Sequence, residues 1–383
     1  AGLALDAARL RFAGRWLTPP LGPLRFDNRF FLAEWTADDG EPGFFPPESE
    51  EGGWIRPVAA LERWRRAELL AAPPVLHLLR VLAEEGPDGD GRRLRDPSEA
   101  YLGPLRRIEF VPGAILFPLR AATLPPASHT NAFLLGCGDG VLVDPGSPFD
   151  DENALLLAAL AAARDLGRRV TAIWLTHHHP DHVAGVERLR AALGVPVLAH
   201  RATAERLAAR GIAIDGTLAD GDCFVLAGDP PLTVEVLHTP GHARGHLAFH
   251  LPESGAVVAG DLLSGLGTVV IDPPEGDLDD YLDSLDRVAR LDPPMLLPSH
   301  GAPLAGGARQ LAALRDHRLA RERQILAAWN DGVREVAALV PVVYPEIAPM
   351  LHPLAGRQVR AHLDRLARRG EIEVIPQQST TEM

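Results

Sequence analysis

Lysine is absent from this 383-residue sequence, so all 38 basic side chains are arginine. Cysteine is scarce: Cys137 and Cys223 are too few for a disulfide framework or a thiolate zinc cluster, and they fit a reducing compartment. No apolar run approaches the roughly 20 residues that span a bilayer, and no basic-then-apolar signal opens the sequence. We therefore expect a cytoplasmic protein that does not enter a membrane.

Acidic side chains are in excess. The chain has 51 Asp and Glu residues against 38 Arg, which gives a formal net charge of −13 at pH 7. Such a charge disfavours a protein whose main task is to hold nucleic acid. Apolar residues make up 46% of the chain, as in an ordinary folded soluble protein, and the length suffices for two or three domains.

The pattern of apolar residues divides the chain into three regions. The first mixes strand and helix patterns, the second alternates short apolar strands with alanine-rich helices, and the third has three helix patterns followed by a strand at Gly370–Ile375. Three helices followed by a strand are typical of a winged-helix module. The predicted parts are an α+β domain (1–85), a Gly-, Asp- and Arg-rich linker (86–106), an α/β domain (107–307), a winged-helix-like module (308–376) and a frayed tail (377–383).

The segment 177–182, with the sequence HHHPDH, follows an apolar strand pattern and holds four imidazoles and a carboxylate. Burying such groups together costs free energy unless something binds them, and metal cations bind both. Residues two apart in an extended segment point the same way, so His177 and His179 are predicted to hold one ion. Asp181 and His182, where a helix begins, are predicted to reach a second.

Further metal-binding side chains stand where other apolar runs end. His242 closes a Thr-Pro-Gly-His turn, His300 follows another strand pattern, and Asp261 follows a glycine, which lets the backbone approach an ion closely. Strand ends in an α/β sandwich converge on one edge, where sites form, so these side chains are predicted to join the histidine cluster. Asp144 stands at a fourth strand end, and His246 is predicted to support the ligands or to be structural rather than to bind an ion.

The donors make up two predicted sites, one of three nitrogens and one of two nitrogens and an oxygen, with an aspartate that bridges them. The predicted metal ligands are His177, His179 and His242 for the first ion, Asp181, His182 and His300 for the second, and Asp261 between them. Nitrogen and oxygen donors without thiolate favour two zinc ions per chain, with iron and manganese as alternatives. Two ions roughly 3.5–4 Å apart can hold a hydroxide, which is a hydrolytic nucleophile.

The ordered motifs H-x-H-x-D-H at 177–182, TPGH ending at His242, Gly-Asp at Asp261 and SHG around His300 resemble the metallo-β-lactamase superfamily over residues 107–304. The resemblance implies an αββα sandwich. Antibiotic-degrading members typically carry cysteine or serine where this chain has Asp261. The TPGH motif is similar to that of hydroxyacylglutathione hydrolases (glyoxalase II). Both features disfavour β-lactam hydrolysis.

Flanking segments resemble the β-lactamase-like protein 2 branch of that superfamily, over residues 107–376. They are Thr130-Asn131, Gly265–Gly276, the pattern DYLxSL from Asp280 and the pattern HRxxRExQI from His317. The resemblance implies a C-terminal winged-helix-like module, and members are linked to single-stranded RNA cleavage in one case and to acyl-thioester hydrolysis in others. Candidates for supporting the ligands or contacting the substrate are Asp144, Asn131, His246, Thr268 and Arg318.

The winged-helix-like module is locally basic, with 11 Arg against 6 Asp and Glu between Arg309 and Gly370. Arg318 and Arg321 lie on its first predicted helix, where they form either a solvated face or an anion-binding site. His178 occupies the variable position of the histidine cluster and is predicted to point away from the ions.

The N-terminal region has a resemblance of its own. Arg25–Ala33, Gly52–Pro57 and Leu70–Pro74 resemble the C-terminal half of a Nudix domain, with a generic α+β accessory domain as the alternative. The magnesium-binding glutamates of such a domain would precede residue 1, so pyrophosphate hydrolysis is not expected here. An incomplete domain leaves an open sheet edge, which suggests a homodimer.

These observations predict a dinuclear-metal hydrolase that acts on a thioester or ester of a small acyl compound. A hydroxide between the ions attacks the carbonyl, and Asp181 orients that nucleophile. The alternatives are a single-strand endoribonuclease, a promiscuous β-lactamase, and a binding protein with a relic site.

Overall fold

The computed structural model describes residues 7–36, 39–40 and 52–373. The predicted tail 377–383 and the end of the strand predicted at Gly370–Ile375 lie outside these residues, and Gly370–Ile372 form a turn and bends. Within the described ranges, no helix combines the length and the apolar character that crossing a membrane requires.

The N-terminal region is a small α+β unit. Its elements are β1 (Leu10–Leu17), β2 (Asp27–Ala33), α1 (Pro57–Arg65) and α2 (Pro73–Glu85). The two strands pair antiparallel, and both helices begin at a proline, whose missing N–H is not needed in a first turn. The indole Nε1 of Trp64 donates to the carbonyl of Phe110 over 2.9 Å and joins this unit to the next domain. The Nudix resemblance stays a prediction.

Residues 86–106, predicted as a linker, carry short elements of their own. They are α3 (Arg92–Arg95), β3 (Tyr101–Leu102) and β4 (Leu105–Arg106). Leu94 is buried against the N-terminal unit, and Leu102 is buried in the core of the following domain. Although its composition is polar, this segment packs on the domains on both sides of it. This corrects the prediction that residues 86–106 are a plain linker. The residue limits of the domains stay predictions.

Two sheets form the centre of the molecule. The strands of the first are β5 (Ile108–Val111), β6 (Ala114–Arg120), β7 (His129–Leu135), β8 (Asp139–Val143), β9 (Arg169–Trp174), β10 (Val197–Ala199) and β11 (Gly216–Thr217). Those of the second are β12 (Cys223–Leu226), β13 (Leu232–His238), β14 (Leu247–Leu251), β15 (Ala256–Gly260), β16 (Met295–Pro298) and β17 (Leu304–Ala305). The first sheet has the order β11-β10-β9-β8-β7-β6-β5, and the second follows chain order from β12 to β17.

Helices cover the outer face of each sheet. They are α4 (Asp150–Asp165), α5 (Pro180–Val183), α6 (Val186–Leu193), α7 (Arg201–Ala208) and α8 (Leu278–Ala289). An apolar core between the sheets contains Phe133 and Phe249. A second core packs the first sheet against helices through residues such as Leu156, and a third packs the other sheet against α8 through Leu285. Burial of both faces of both sheets gives the four-layer αββα sandwich, which confirms the predicted fold class.

Strand direction places the ends of several strands at common edges. In the first sheet β8 and β9 are parallel. In the second, β15 is parallel to β16 and antiparallel to β14, which is antiparallel to β13, so β13, β15 and β16 run the same way. The predicted site residues Asp144, His242, Asp261 and His300 all follow the carboxyl ends of these strands.

Three helices follow the sandwich. They are α9 (Gly307–Asn330), α10 (Val336–Val343) and α11 (His352–Arg368). The apolar pattern of the sequence predicts the second helix from Val333 and the third from Gly356. The second begins three residues later than that, and the third begins four residues earlier. Trp329, Val340 and Val359 form their shared core, while Leu311 of α9 is buried in the core beneath α8. The first of the three helices therefore belongs to both apolar cores.

Candidate metal centre

The side chains predicted as metal ligands come together at the edge where the central strands end. The chain leaves β9, passes through the histidine cluster and enters α5 with His179 at the N-cap position. Three groups of side chains have donor atoms within 4.8 Å of one another and are able to hold an ion. They are His177, His179 and His242; His177, His182 and Asp261; and Asp181, His182 and His300.

In the first group, three imidazole nitrogens face one another. The Nδ1 atom of His179 lies 2.9 Å from Nε2 of His177 and 2.9 Å from Nε2 of His242, and the two Nε2 atoms are 3.3 Å apart. The Nδ1 atom of His242 donates to the carbonyl of Val270 over 2.7 Å, which leaves a lone pair on its Nε2. Burial holds the pKa of His177 well below its usual value and lowers that of His179 to about 2. Neutral rings with lone pairs directed at one point form a cradle for a cation.

The third group contains two more imidazoles, His182 and His300, whose Nε2 atoms face the carboxylate of Asp181. The Nε2 atom of His300 lies 3.5 Å from Oδ2 of Asp181, and Nε2 of His182 lies 4.0 Å from Oδ1. Each Nδ1 is engaged behind the site, that of His182 with Asp144 over 2.8 Å and that of His300 with the carbonyl of His129 over 3.0 Å. Both rings are therefore oriented with Nε2 towards the shared space.

Asp261 lies between the first group and the third. Its Oδ2 is 3.4 Å from Nε2 of His242, while its Oδ1 is 3.6 Å from Nε2 of His182 and 3.4 Å from that of His300. Burial of this carboxyl raises its pKa, but the neighbouring His300 and His182 outweigh burial and hold the pKa well below its usual value. An ionised carboxylate with one oxygen towards each group is suited to bridge two cations.

The residues present fit divalent ions. The Nε2 atom of His182 and Oδ1 of Asp261 are both buried without a hydrogen-bond partner, and such unsatisfied buried atoms are rare in folded proteins. Burial lowers the pKa of His182, but the carboxylates of Asp261, Asp144 and Asp181 outweigh it and raise that pKa well above its usual value. The site thus attracts positive charge, and its nitrogen and oxygen donors suit zinc or a similar ion.

The carboxylate of Asp144 lies behind His182 and contacts Thr176. Its Oδ1 accepts from the backbone N–H of Thr176 over 2.8 Å, and its Oδ2 accepts from the Thr176 hydroxyl over 2.5 Å and from His182. The backbone of Asp144 has a φ of 49°, a left-handed conformation that is unfavourable for a non-glycine residue. Thr176 was not predicted; its only signal in the sequence is a polar residue at the end of an apolar strand.

His246 and Asn131 also lie behind the ligands. The Nδ1 atom of His246 contacts the Thr239 hydroxyl at 2.8 Å, and its Nε2 accepts from the backbone N–H of Asp261 over 2.9 Å. Both ring nitrogens are therefore occupied, and His246 is free to orient Asp261 but not to bind an ion. The amide of Asn131 donates to the carbonyls of Pro298 and Gly301 over 2.9 and 2.8 Å and braces the turn that carries His300.

Two glycines allow the close approaches at this site. Gly241 has a φ of +127°, and a Cβ there would lie 2.3 Å from the Cα of Tyr281. Gly260 has a φ of +54°, and a Cβ there would lie 2.5 Å from Nε2 of His246. A side chain at either position would displace the metal ligand that follows it, His242 or Asp261.

One predicted substrate candidate, Arg318, is held by residues outside the three ligand groups. Arg318 is 3% exposed, and its guanidinium donates to the carbonyl of Val269 and to the side chain of Gln358. It is neither part of a solvated face nor free to bind an anion, which corrects both interpretations. Thr268 is exposed on the loop before Val269. His178 is half-buried and belongs to none of the three ligand groups.

The αββα sandwich and its edge site of histidines and aspartates define a class of metal-dependent hydrolases. The family model of the metallo-β-lactamase superfamily matches residues 125–300, and that of the β-lactamase-associated winged helix domain matches residues 336–378. A metallo-β-lactamase family protein from Thermus thermophilus, known from its crystal structure, superposes with a TM-score of 0.56 at 28% identity, covering 68% of this chain and 95% of that one.

Curated relatives agree with this class. A hydroxyacylglutathione hydrolase from Cereibacter sphaeroides is 36% identical over 200 residues, 51% of this chain and 72% of the relative. The β-lactamase-like protein 2 homolog of Drosophila melanogaster is 30% identical over 258 residues, 64% and 84% of the two chains. An atrochrysone carboxyl ACP thioesterase from Aspergillus chevalieri is 31% identical over 226 residues, 58% and 68%. The chain belongs to the metallo-β-lactamase superfamily, as a metal-dependent hydrolase with a C-terminal winged helix.

Proposed function

We propose that this hydrolase cleaves the thioester or ester of a small acyl compound at two divalent metal ions, with zinc preferred. The position of Asp261 carries the proposal, because its two oxygens lie 3.4 Å from imidazole nitrogens of different ligand groups. A carboxylate in that position joins two ligand sets into one centre.

The first ion would be held by His177, His179 and His242, and the second by Asp181, His182 and His300, with Asp261 shared. Bound there, two divalent ions supply an activated water nucleophile and stabilise the charge that develops on the substrate carbonyl oxygen. The residues behind the ligands do the orienting. Thr176, Asp144 and the carbonyls of Val270 and His129 hold the imidazole rings with their lone pairs turned inward.

Asp181 is the side chain best placed to act on the nucleophile. Its carboxylate is the most exposed of the acidic groups at the centre, with 15% of the side chain accessible against 11% for Asp261 and 1% for Asp144. A carboxylate at the open side of the site can accept a proton from the attacking water and hold that water in line with the carbonyl.

The relatives support an acyl thioester as the substrate class. The hydroxyacylglutathione hydrolase and the ACP thioesterase are both named for thioesters. In this chain an aspartate occupies position 261, and the resemblance drawn from the sequence associates β-lactam hydrolysis with cysteine or serine there. A thioester also has the better leaving group, so its hydrolysis depends less on protonation of that group than amide hydrolysis does.

The winged helix gives little support to the alternative of RNA cleavage. Several of its arginines pair with acidic residues at or near α8, which neutralises the charge on that side of the module. The pairs are Arg315 with Asp286, Arg357 with Asp272, Arg365 with Asp279 and Arg368 with Asp277. An RNA-binding surface needs arginines that are free to contact phosphates.

A substrate panel tests the proposal. Zinc-loaded protein would be given an acyl-glutathione thioester, a p-nitrophenyl acyl ester, nitrocefin and a single-stranded RNA, and turnover of each would be measured. We expect the thioester to be cleaved with the highest kcat/KM. We expect Asp181→Ala to reduce kcat by about 100-fold or more, because it removes both a ligand and the proton acceptor.

Asp165→Ala is the matched control, since Asp165 is an exposed aspartate at the end of α4, away from the centre. It should keep wild-type turnover. RNA cleavage by the loaded protein with both acyl substrates left intact would overturn the proposed substrate class, and equal turnover by the two aspartate variants would overturn the role of Asp181.

A further inference from the structure

The winged helix contacts the backbone beside one of the metal ligands. We infer that Arg318 and Gln358, both in this module, are positioning residues for His242 of the catalytic domain. They act through the adjacent carbonyls of Val269 and Val270. This inference rests on the proposed function, because it gives the module a part in metal binding.

The segment from Val269 to Asp277 wraps around the turn that carries His242. The carbonyl of Val270 accepts from Nδ1 of His242 over 2.7 Å, and the backbone N–H of Asp277 donates to the carbonyl of Gly241 over 2.8 Å. The first bond fixes which nitrogen of His242 carries the proton and where its Nε2 points. The orientation of this ligand therefore depends on the position of the segment.

The winged helix fixes that position at Val269. The carbonyl of Val269 accepts from Nη2 of Arg318 over 2.5 Å and from Nε2 of Gln358 over 2.8 Å, which uses both of its lone pairs. Arg318 also donates to Oε1 of Gln358 over 2.9 Å. The two side chains come from different helices, α9 and α11, so the carbonyl is held from two sides.

The hydrogen bonds at the Val269 carbonyl are buried, and burial restricts the movement of that carbonyl. Arg318, Gln358 and Val269 are 3%, 7% and 5% exposed. Displacement of the Val269 carbonyl would leave two buried donors, Nη2 of Arg318 and Nε2 of Gln358, without this acceptor, which costs more than an ordinary hydrogen bond contributes. The neighbouring carbonyl of Val270 therefore has one favoured position. Because His242 donates to that carbonyl, the orientation of its ring is fixed as well.

Ion pairs hold the rest of the same segment. Arg357 lies 2.9 Å from Asp272, and Arg368 lies 3.1 Å from Asp277. Both arginines belong to α11, the helix that carries Gln358. The third helix of the module thus contacts the segment at its beginning, middle and end.

The test compares two arginines of α9 that sit one turn apart. Arg318 donates to the Val269 carbonyl and lies 5.3 Å from the ring centre of Tyr281. Arg321 donates to the Val343 carbonyl within the module and lies 4.3 Å from the ring centre of Tyr344. Arg318→Met and Arg321→Met therefore remove the same kinds of contact, but only the first touches the catalytic domain.

Zinc affinity would be measured by competition with a chromophoric chelator, together with thermal unfolding of the metal-free proteins. His242→Ala serves as the reference for loss of the first site. We expect Arg318→Met to weaken the ion held by His177, His179 and His242 by about tenfold, with less than a twofold change for the other ion. We expect Arg321→Met to lower the unfolding temperature and to leave both affinities unchanged.

Gln358→Met provides a second variant in case Arg318→Met does not fold, and it should weaken the first site in the same selective way. If wild type binds two ions and both variants retain wild-type affinities, the inference is overturned while the proposed function stands. Equal weakening of both sites by Arg318→Met and Arg321→Met would also overturn it, since that pattern reports general loosening. A wild-type protein that binds no ion contradicts the inference and the proposed function together.

Discussion

Three imidazoles at the centre are each oriented by a partner on the side away from the proposed ions. His182 is held by the Asp144 carboxylate, His242 by the Val270 carbonyl and His300 by the His129 carbonyl. Because a neutral imidazole has one donor and one acceptor nitrogen, a partner that accepts at Nδ1 leaves the Nε2 lone pair for a metal. These partners therefore determine which nitrogen of each ring carries the proton, in addition to the position of the ring.

Replacement of Asp144 by asparagine tests this dependence at a single residue. Asp144→Asn keeps the shape of the side chain but removes the charge that holds His182. We expect the ion bound by Asp181, His182 and His300 to be held about 10- to 100-fold more weakly, as measured by chelator competition.

Asp139→Asn is the control for that measurement, because Asp139 lies at the other end of the same strand and pairs with Arg169 at the surface. Exposed pairs contribute little, so its zinc affinity should match wild type. An Asp144→Asn variant that binds both ions as tightly as wild type would show that the carboxylate does not orient His182.

The side chains of the three groups could be predicted from the sequence to lie together because they cluster in one segment or follow the ends of apolar runs. Their supporting carbonyls could not. Val270 and His129 contribute backbone oxygens, which every residue has, and nothing in their side chains marks them. Arg318 was placed on the correct helix, but only tertiary packing shows that it points into the protein.

Among the strands, β5 depends on a buried ion cluster for part of its stability. Glu109 is 2% exposed and accepts from Arg107 over 2.7 Å, from Arg168 over 3.1 Å and from the backbone N–H of Gly113 over 3.0 Å. Burial raises the pKa of this carboxyl, but the two arginines outweigh it and hold the pKa below its usual value of 4.5. The ionised form is therefore favoured by folding.

The lowered pKa of Glu109 sets the direction of a pH effect. Its contribution to the free energy of unfolding is complete above about pH 4.5, the unfolded value, and is lost as the pH falls below it. We expect Glu109→Gln to cost about 3 kcal/mol at pH 7 and to lose less stability than wild type on acidification. Urea unfolding of the metal-free proteins at pH 7 and at lower pH measures both effects.

Glu187→Gln, a change at an exposed position of α6, should follow the wild-type pH dependence in that experiment. Parallel curves for wild type and Glu109→Gln would mean that the carboxylate carries no pH-dependent stability.

Helix and strand order could be predicted better than their packing. The strands flanking the histidine cluster carry strong apolar patterns, and most of the predicted elements are present. The linker prediction rested on Gly, Asp and Arg, while the two leucines that pack this segment, Leu94 and Leu102, are too few to give a periodic signal.

At the scale of the whole molecule, charge is distributed so that the winged helix binds its own catalytic domain. The module has an excess of arginine, the chain as a whole carries −13, and ion pairs such as that of Arg365 with Asp279 join residues 86 positions apart. Contacts over such separations have no local signature. The sequence alone therefore suggested a basic surface for RNA where the structure has an internal interface.

The proposed function depends on a two-ion centre that shares Asp261. Its most direct test is the metal content of the protein after saturation with zinc and dialysis, measured by elemental analysis for wild type and for Asp261→Ala. We expect two zinc ions per chain in wild type and fewer than two in the variant, because removal of the shared carboxylate leaves two incomplete ligand sets. One ion or none per chain in wild type, or two in the variant, would contradict it.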